Sequence, residues 1–114
     1  MNVKKMGLLL GIVMLCFCEK SQAAAQLVWL GQITYLENGW YGEGLAIHTA
    51  NAGPSGCSAS ANDFAIEKNH PSYQELTAMA LTAYTKNMDV GLVVDSGACI
   101  FGGRTKIISI RLQK

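Results

Sequence analysis

The hydrophobic positions of this 114-residue chain fall mostly into short apolar runs typical of strands, with one later segment at helical spacing. Residues 27–36 (LVWLGQITYL) are rich in β-branched and aromatic side chains, and Asn38-Gly39 follows them. Asn-Gly between apolar runs is the strongest short-range hairpin signal, because both residues tolerate the positive φ of a type I′ turn. We therefore predict that the first strand turns directly into a second strand over 40–49.

A loop and a short third strand are expected next. Residues 50–56 (ANAGPSG) are small, polar or turn-forming, which predicts a loop. The third strand is predicted over 57–66, with Phe64 and Ile66 as its apolar anchors. Cys57 would then stand at the start of this strand.

The pattern changes to a helical period after residue 71. Ser72 followed three residues later by Glu75 predicts a capping box at a helix start. Lys86 and Asn87 suit the helix end, because a cation stabilises the carbonyl terminus and asparagine tolerates the left-handed conformation. The residues expected on the buried stripe of this helix of about 15 residues are Tyr73, Leu76, Met79, Ala80, Ala83 and Tyr84.

Two more strands complete the order. Apolar residues alternate over 90–95 and again over 107–112, and the turn between these segments is expected to hold Cys99 and Gly102-Gly103. Three strands, a helix and two strands in about 90 residues is the pattern of a small OB-type barrel, which has five strands. We therefore predict a β-rich β-β-β-α-β-β domain over 24–114.

The first 23 residues have the layout of a removable signal peptide. Lys4 and Lys5 supply the positive start, an uncharged apolar run covers 6–18, and a small-residue cleavage site ends at Ala23 or, alternatively, Ala25. This layout predicts a secreted or periplasmic protein with residues 1–23 removed.

Two other interpretations of the leader are weaker. About 20 apolar residues are needed to span a bilayer, and Glu19 and Lys20 end this run early. Lipid attachment at Cys16 or Cys18 would require small residues before the cysteine, whereas bulky residues precede both. We expect no membrane span after processing.

Removal of the leader changes the charge and the cysteine count. The remaining chain has six basic and seven acidic residues, so it lacks the positive field that nucleic acid binding requires. Cys57 and Cys99 are the only cysteines left, and an oxidising compartment favours a disulfide between them. Closing that loop would stabilise a small core by about 4 kcal/mol.

The run over 72–112 (SYQELTAMALTAYTKNMDVGLVVDSGACIFGGRTKIISIRL) resembles the second half of the OB-fold B subunits of bacterial A-plus-pentamer toxins. These are the enterotoxin, pertussis-like and subtilase-cytotoxin classes, and Gly56-Cys57-Ser58 with Asp89-Val90 looks most like the last of them. Small uncharacterised exported proteins of Gram-negative bacteria share the same outline. The resemblance implies a receptor-binding subunit that forms a homopentamer with an A-type toxin subunit as partner. No sugar-binding residue of that family aligns with a position here.

Catalytic and metal sites find little support in the sequence. His48 and His70 lie far from other ligands at metal spacing, and oxidised cysteines cannot bind zinc. Glu37 and Glu43 are better explained as solvated charges at strand ends than as a glycosidase pair. Serines at 55, 58, 60 and 96 lack an accompanying base or oxyanion site. We therefore expect no enzyme activity, no metal and no cofactor.

The candidate binding residues lie around the predicted hairpin. Trp40 and Tyr41 are adjacent, so in a strand one would enter the core and the other would face outward. An outward aromatic ring would stack on the apolar face of a sugar, with Asn38, Glu43 or Asn51 supplying hydrogen bonds. Burial between subunits and plain core packing are the alternatives.

These features together predict a non-enzymatic secreted or periplasmic binding subunit. Its ligand would be a glycan or a protein receptor, and repeated weak contacts around a ring would provide avidity. The alternative is a monomeric or dimeric periplasmic domain that binds or inhibits another protein.

Overall fold

A computed structural model describes residues 25–54 and 56–114. Within them, five strands close into a barrel in the order β1-β2-β3-β5-β4, accompanied by a single helix. The elements are β1 Ala25–Glu37, β2 Gly44–Thr49, β3 Asp63–Glu67, α1 Tyr73–Lys86, β4 Asp89–Ile100 and β5 Arg104–Gln113. The predicted OB-type barrel is thus confirmed. The expected signal peptide lies outside the described residues.

Strand β1 closes the barrel because it pairs with two neighbours along its length. Its first half is antiparallel to β4, and its second half is antiparallel to β2. The register shifts between Trp29 and Gln32, where Gly31 adopts a φ of 71°. A side chain is strained at such a φ, so glycine allows β1 to bend from one partner to the other. The pairing of β3 with β5 is parallel.

The core fills the barrel from every strand and from α1. Each fully buried Phe or Leu side chain stabilises the fold by about 1.5–3 kcal/mol. On the predicted helix stripe, Leu76, Ala80 and Ala83 are buried, whereas Tyr84 is 44% exposed. The largest fully buried apolar side chains are Leu30, Ile47, Phe64, Ile66, Val90, Leu92, Val94 and Ile107.

The start of the second strand differs from the prediction. Hydrogen-bonded pairing of β2 begins at Gly44, so the connection from β1 has six residues, 38–43, and not the expected two. A type I′ turn requires positive φ at both central residues. Gly39 has a φ of 80°, but Asn38 does not share this conformation.

The third strand is also shorter than predicted, and Cys57 lies in the loop before it. The Ser60 carbonyl accepts a hydrogen bond from the Asp63 N–H, and the Ser60 Oγ accepts one from the Asn62 N–H. Such local bonds compete with strand pairing, so β3 begins only at Asp63.

The predicted disulfide is present, with 5.6 Å between the Cα atoms of Cys57 and Cys99. Cys99 belongs to the end of β4 and not to the turn, because β4 continues to Ile100 across an irregularity between Asp95 and Cys99. A short 3₁₀ turn, Phe101–Gly103, then connects β4 to β5.

The helix ends as expected but begins differently. Asn87 adopts the left-handed conformation that was predicted at the C-terminus. Ser72 is the N-cap, yet its hydroxyl makes no capping bond, so the capping box is absent. Instead, the Nδ1 of His70 accepts a hydrogen bond from the Ser72 N–H at 2.9 Å. Helix α1 is too short and too polar to cross a bilayer, and the described segments contain no membrane-spanning helix.

Candidate functional site

The connection from β1 to β2 and the connection from β4 to β5 meet at one end of the barrel. Together they line a cavity of about 310 Å³. We call residues 38–43 and 101–104 the rim. In OB folds, these two connections and the strands beside them commonly bind ligands. The residues that line the cavity are Gly39, Trp40, Tyr41, Glu43, Phe101, Gly102 and Arg104.

The two aromatic residues of the first connection are both in solvent. Trp40 is 86% exposed and Tyr41 is 87% exposed. The expectation that one of them enters the core is wrong, because neither belongs to a strand. The Tyr41 N–H donates a hydrogen bond of 2.8 Å to the Glu43 carboxylate, which holds the connection in a tight turn.

Arg104 stabilises the other side of the rim. Its guanidinium donates to the Glu37 carboxylate at 2.7 Å and lies 5.4 Å from the centre of the Phe101 ring. The same group lies 3.4 Å from the Phe101 carbonyl oxygen. Arg104 therefore links the end of β1 to the turn before β5.

A row of three side chains crosses the outer face of β1, β2 and β3. Strand register pairs Tyr35 with His48 and His48 with Asp63. The rings of Tyr35 and His48 stack with centroids 4.6 Å apart, and the Nδ1 of His48 lies 2.5 Å from the Asp63 carboxylate. We call Tyr35, His48 and Asp63 the strand row.

Tyr35 lies near charged groups of both the strand row and the rim. The pKa of the Tyr35 phenol is raised above its usual value of 10.0, first by desolvation and then by the negative charges of Asp63 and Glu37. The positive charge of Arg104 partly offsets this rise. The pKa of Tyr35 thus depends on Asp63 of the strand row and on the Glu37–Arg104 ion pair that supports the rim.

The structure groups only some of the residues proposed from sequence. Trp40, Tyr41 and Glu43 line the rim cavity, and Asn38 is exposed at the start of the same connection. Asn51 is not brought to them. It follows the far end of β2, where its N–H donates to the Leu30 carbonyl at 3.1 Å.

Sequence reasoning missed Phe101 and Arg104, and it treated His48 as an ordinary strand residue. No local spacing connects these residues with the first connection, since they meet only when the barrel closes. Alternation along strands would have placed Tyr35 and His48 on an outer face, but their pairing needs the register of β1 with β2.

Comparisons of the chain with protein-family models, curated proteins and solved structures found no match. We therefore infer a function from the chemistry of the rim and the strand row.

Two carboxylates at the rim already have partners. Glu37 accepts a hydrogen bond from Arg104, and Glu43 accepts one from the Tyr41 N–H. No group of three or more His, Cys, Asp or Glu side chains that could hold a metal occurs in the described part of the chain.

The disulfide stabilises the second half of the rim, residues 101–104. Cys99 is two residues before Phe101, and the bond ties this end of β4 to the loop that contains Cys57. In the same loop, the Ala59 N–H donates to the Gly103 carbonyl at 3.0 Å. The loop before β3 thus fixes the position of the second half of the rim.

Proposed function

We propose that this protein is a non-enzymatic binding domain that takes a saccharide at the rim. The observation that carries the proposal is the nearly complete exposure of Trp40 and Tyr41 beside the cavity that they share with Phe101 and Arg104. Large aromatic side chains that contribute nothing to a core are typical of ligand-binding surfaces.

The groups around the cavity fit the two sides of a sugar. The apolar face of a pyranose ring stacks on an aromatic ring such as Trp40. Its hydroxyl groups require hydrogen-bond partners, which the carboxylate of Glu43, the phenol of Tyr41 and the amide of Asn38 supply. The Trp40 ring has two rotatable bonds, so ordering it on a ligand costs little conformational entropy.

In the same proposal, the domain acts after export, as a secreted or periplasmic receptor-binding subunit like the toxin B subunits. The supporting observations are the OB-type barrel and the disulfide. Assembly into a homopentameric ring with an A-type subunit would raise the avidity of a weak single site. Light scattering of the purified protein tests this part, since a ring has the mass of five chains.

A protein partner is the second candidate, either for a monomer or for a dimer. It is favoured by apolar side chains that are partly exposed away from the rim. On β1, Leu27 is 38% exposed and Trp29 is 47% exposed, and on α1 Leu81 is 50% exposed. Subunit contacts in a ring would also use such residues.

Tryptophan fluorescence provides a direct test of the saccharide site. The chain has two tryptophans, so Trp29→Phe leaves Trp40 as the only reporter and Trp40→Phe leaves Trp29. Glycan-array screening identifies the best oligosaccharide, which is then titrated into both variants. We expect a saturable change in emission from Trp40 and none from Trp29.

Alanine variants complete this test. Trp40→Ala and Tyr41→Ala should each weaken binding at least about tenfold, or about 1.4 kcal/mol. Tyr84→Ala removes an exposed tyrosine from α1, away from the rim, and serves as the control. Unchanged affinity in both rim variants, or no glycan bound by the parent protein, would refute a saccharide site at the rim.

A further inference from the structure

The two histidines of the chain differ in how their ring nitrogens are used. The Nδ1 of His70 accepts a hydrogen bond from the Ser72 N–H at 2.9 Å, so its Nε2 carries the proton and donates to the Ile108 carbonyl at 3.1 Å. Both nitrogens of His70 are satisfied within the fold. Its role is to join the start of α1 to β5.

His48 has the opposite arrangement. An ionised carboxylate only accepts hydrogen bonds, so the 2.5 Å contact with Asp63 requires the proton on Nδ1 of the neutral ring. The Nε2 of His48 then presents a lone pair. Among residues 25–54 and 56–114, this atom has no hydrogen-bond partner, and the side chain is 28% exposed.

The ring of His48 is held in place from two sides. Stacking against Tyr35 fixes its plane, with an angle of 11° between the rings, and Asp63 fixes its rotation. A positioned acceptor loses little entropy when a ligand hydroxyl donates to it. A ring held in this way suits a binding group, and the same cross-strand pairs also help to stabilise the sheet.

The charges around the strand row and the rim select against anions. Three carboxylates lie in this region, and two of them are paired, Asp63 with His48 and Glu37 with Arg104. A further cation, Lys68, lines a neighbouring cavity together with two carboxylates, Glu43 and Glu67. The next cation on β5, Lys106, lines a separate cavity together with acidic residues. A negatively charged ligand would be repelled here, whereas sugar hydroxyl groups donate readily to carboxylates.

We infer that the saccharide bound at the rim is uncharged and continues onto the strand row, where the Nε2 of His48 accepts a hydrogen bond from one of its hydroxyl groups. Asp63 and Tyr35 are positioning residues in this arrangement. The inference rests on the proposed function and adds the ligand class and a second point of contact.

Nitrogen NMR of the imidazole rings tests the contact in the parent protein. At neutral ring charge, the ¹⁵N shifts should show His48 protonated on Nδ1 and His70 protonated on Nε2. Addition of the best neutral oligosaccharide from the array should shift the Nε2 signal of His48, with the His70 signals unchanged as an internal control. An unmoved His48 signal at saturation would refute the contact.

Two variants separate contact from positioning. His48→Phe keeps a ring to stack on Tyr35 but removes the acceptor, so the affinity should fall about tenfold, the size of one hydrogen bond. Asp63→Asn should weaken binding and also redistribute the proton of His48, which the nitrogen shifts report. Asp95→Asn, in the separate cavity of Lys106, is the control.

The outcomes distinguish the inference from the proposed function. If Trp40→Ala loses binding while His48→Phe binds like the parent protein, the extension onto the strand row is wrong and the rim site stands. If carboxylated or sulfated glycans bind more tightly than their neutral counterparts, the ligand class is wrong. If Trp40→Ala and Tyr41→Ala both bind normally, both proposals fail.

Discussion

The two tryptophans of the chain occupy contrasting surfaces. Trp29 is 47% exposed on β1, and its ring lies against Gly91 of β4, where an added Cβ would be 3.0 Å from the ring. Trp40 is 86% exposed on the rim. The first ring covers a glycine in the sheet and stabilises the barrel wall. The second ring is almost entirely in solvent and contributes little to the barrel. Exposed aromatic surface of this kind is typical of binding sites.

The two surfaces therefore differ in their relation to the fold. The surface around Trp29 helps to hold the barrel together, whereas the rim around Trp40 is held in place by the barrel. The rim depends on elements that converge from distant parts of the sequence: the loop with Cys57, the end of β4 and the start of β5. Breaking those supports should affect the region around Trp40 first.

Removal of the disulfide is expected to have the largest effect. The variant Cys57→Ala/Cys99→Ala opens a link between residues 42 positions apart, which should lower the free energy of unfolding by about 4 kcal/mol. Because Cys99 is close to Phe101, the folded fraction should also bind saccharide more weakly. Urea denaturation and a binding titration measure the two effects, with reduced parent protein as the control. A loss below about 1 kcal/mol would contradict the prediction.

The sequence predicts most of the barrel because strand alternation and the helix stripe reflect local burial. Phe64 and Ile66 of β3 and Leu76 of α1 are buried as expected. The hairpin prediction failed at Gly44, where a Cβ would collide with the Ile66 carbonyl oxygen and crowd the Phe101 ring. Strand β2 thus begins at a position where only glycine fits against β3 and the β4–β5 turn. These contacts join segments that are distant in sequence, so a local pattern does not predict them.

The candidate site is less predictable from sequence than the fold, because it also depends on contacts between distant segments. Trp40 and Tyr41 are conspicuous in the sequence, but their exposure follows from their position in a connection rather than a strand. Arg104 reaches Glu37, 67 positions away, and His48 reaches Asp63 across β2 and β3. Such pairs arise from the barrel register.

Truncation of Trp29 should have the next largest effect on stability, and truncation of Trp40 provides the comparison. Trp29→Ala should lower the free energy of unfolding by about 2 kcal/mol, roughly half the usual cost of truncating a buried tryptophan, because half of the side chain is covered. Trp40→Ala should change stability by less than about 0.5 kcal/mol. Urea denaturation of both variants decides this, and similar losses would show that Trp40 also supports the fold.

A pair of glycine variants should have a smaller effect on stability than Trp29→Ala, and it tests the backbone beside Trp40. Gly39 and Gly42 have φ values of 80° and 72°, so alanine at either position should cost about 1–2 kcal/mol in backbone strain. Only at Gly39 would the new Cβ approach the Glu43 carboxylate, to 2.5 Å, whereas the space beside Gly42 is open.

Gly39→Ala should therefore displace Glu43 from the Tyr41 N–H and weaken saccharide binding, while Gly42→Ala, as the matched control, should lose only stability. Affinity and stability are measured for both variants under the same conditions. Equal affinities would mean that the turn made by Tyr41 and Glu43 has no part in ligand binding. A specific loss at Gly39 would show that the loop conformation, and not only the two aromatic rings, forms the site.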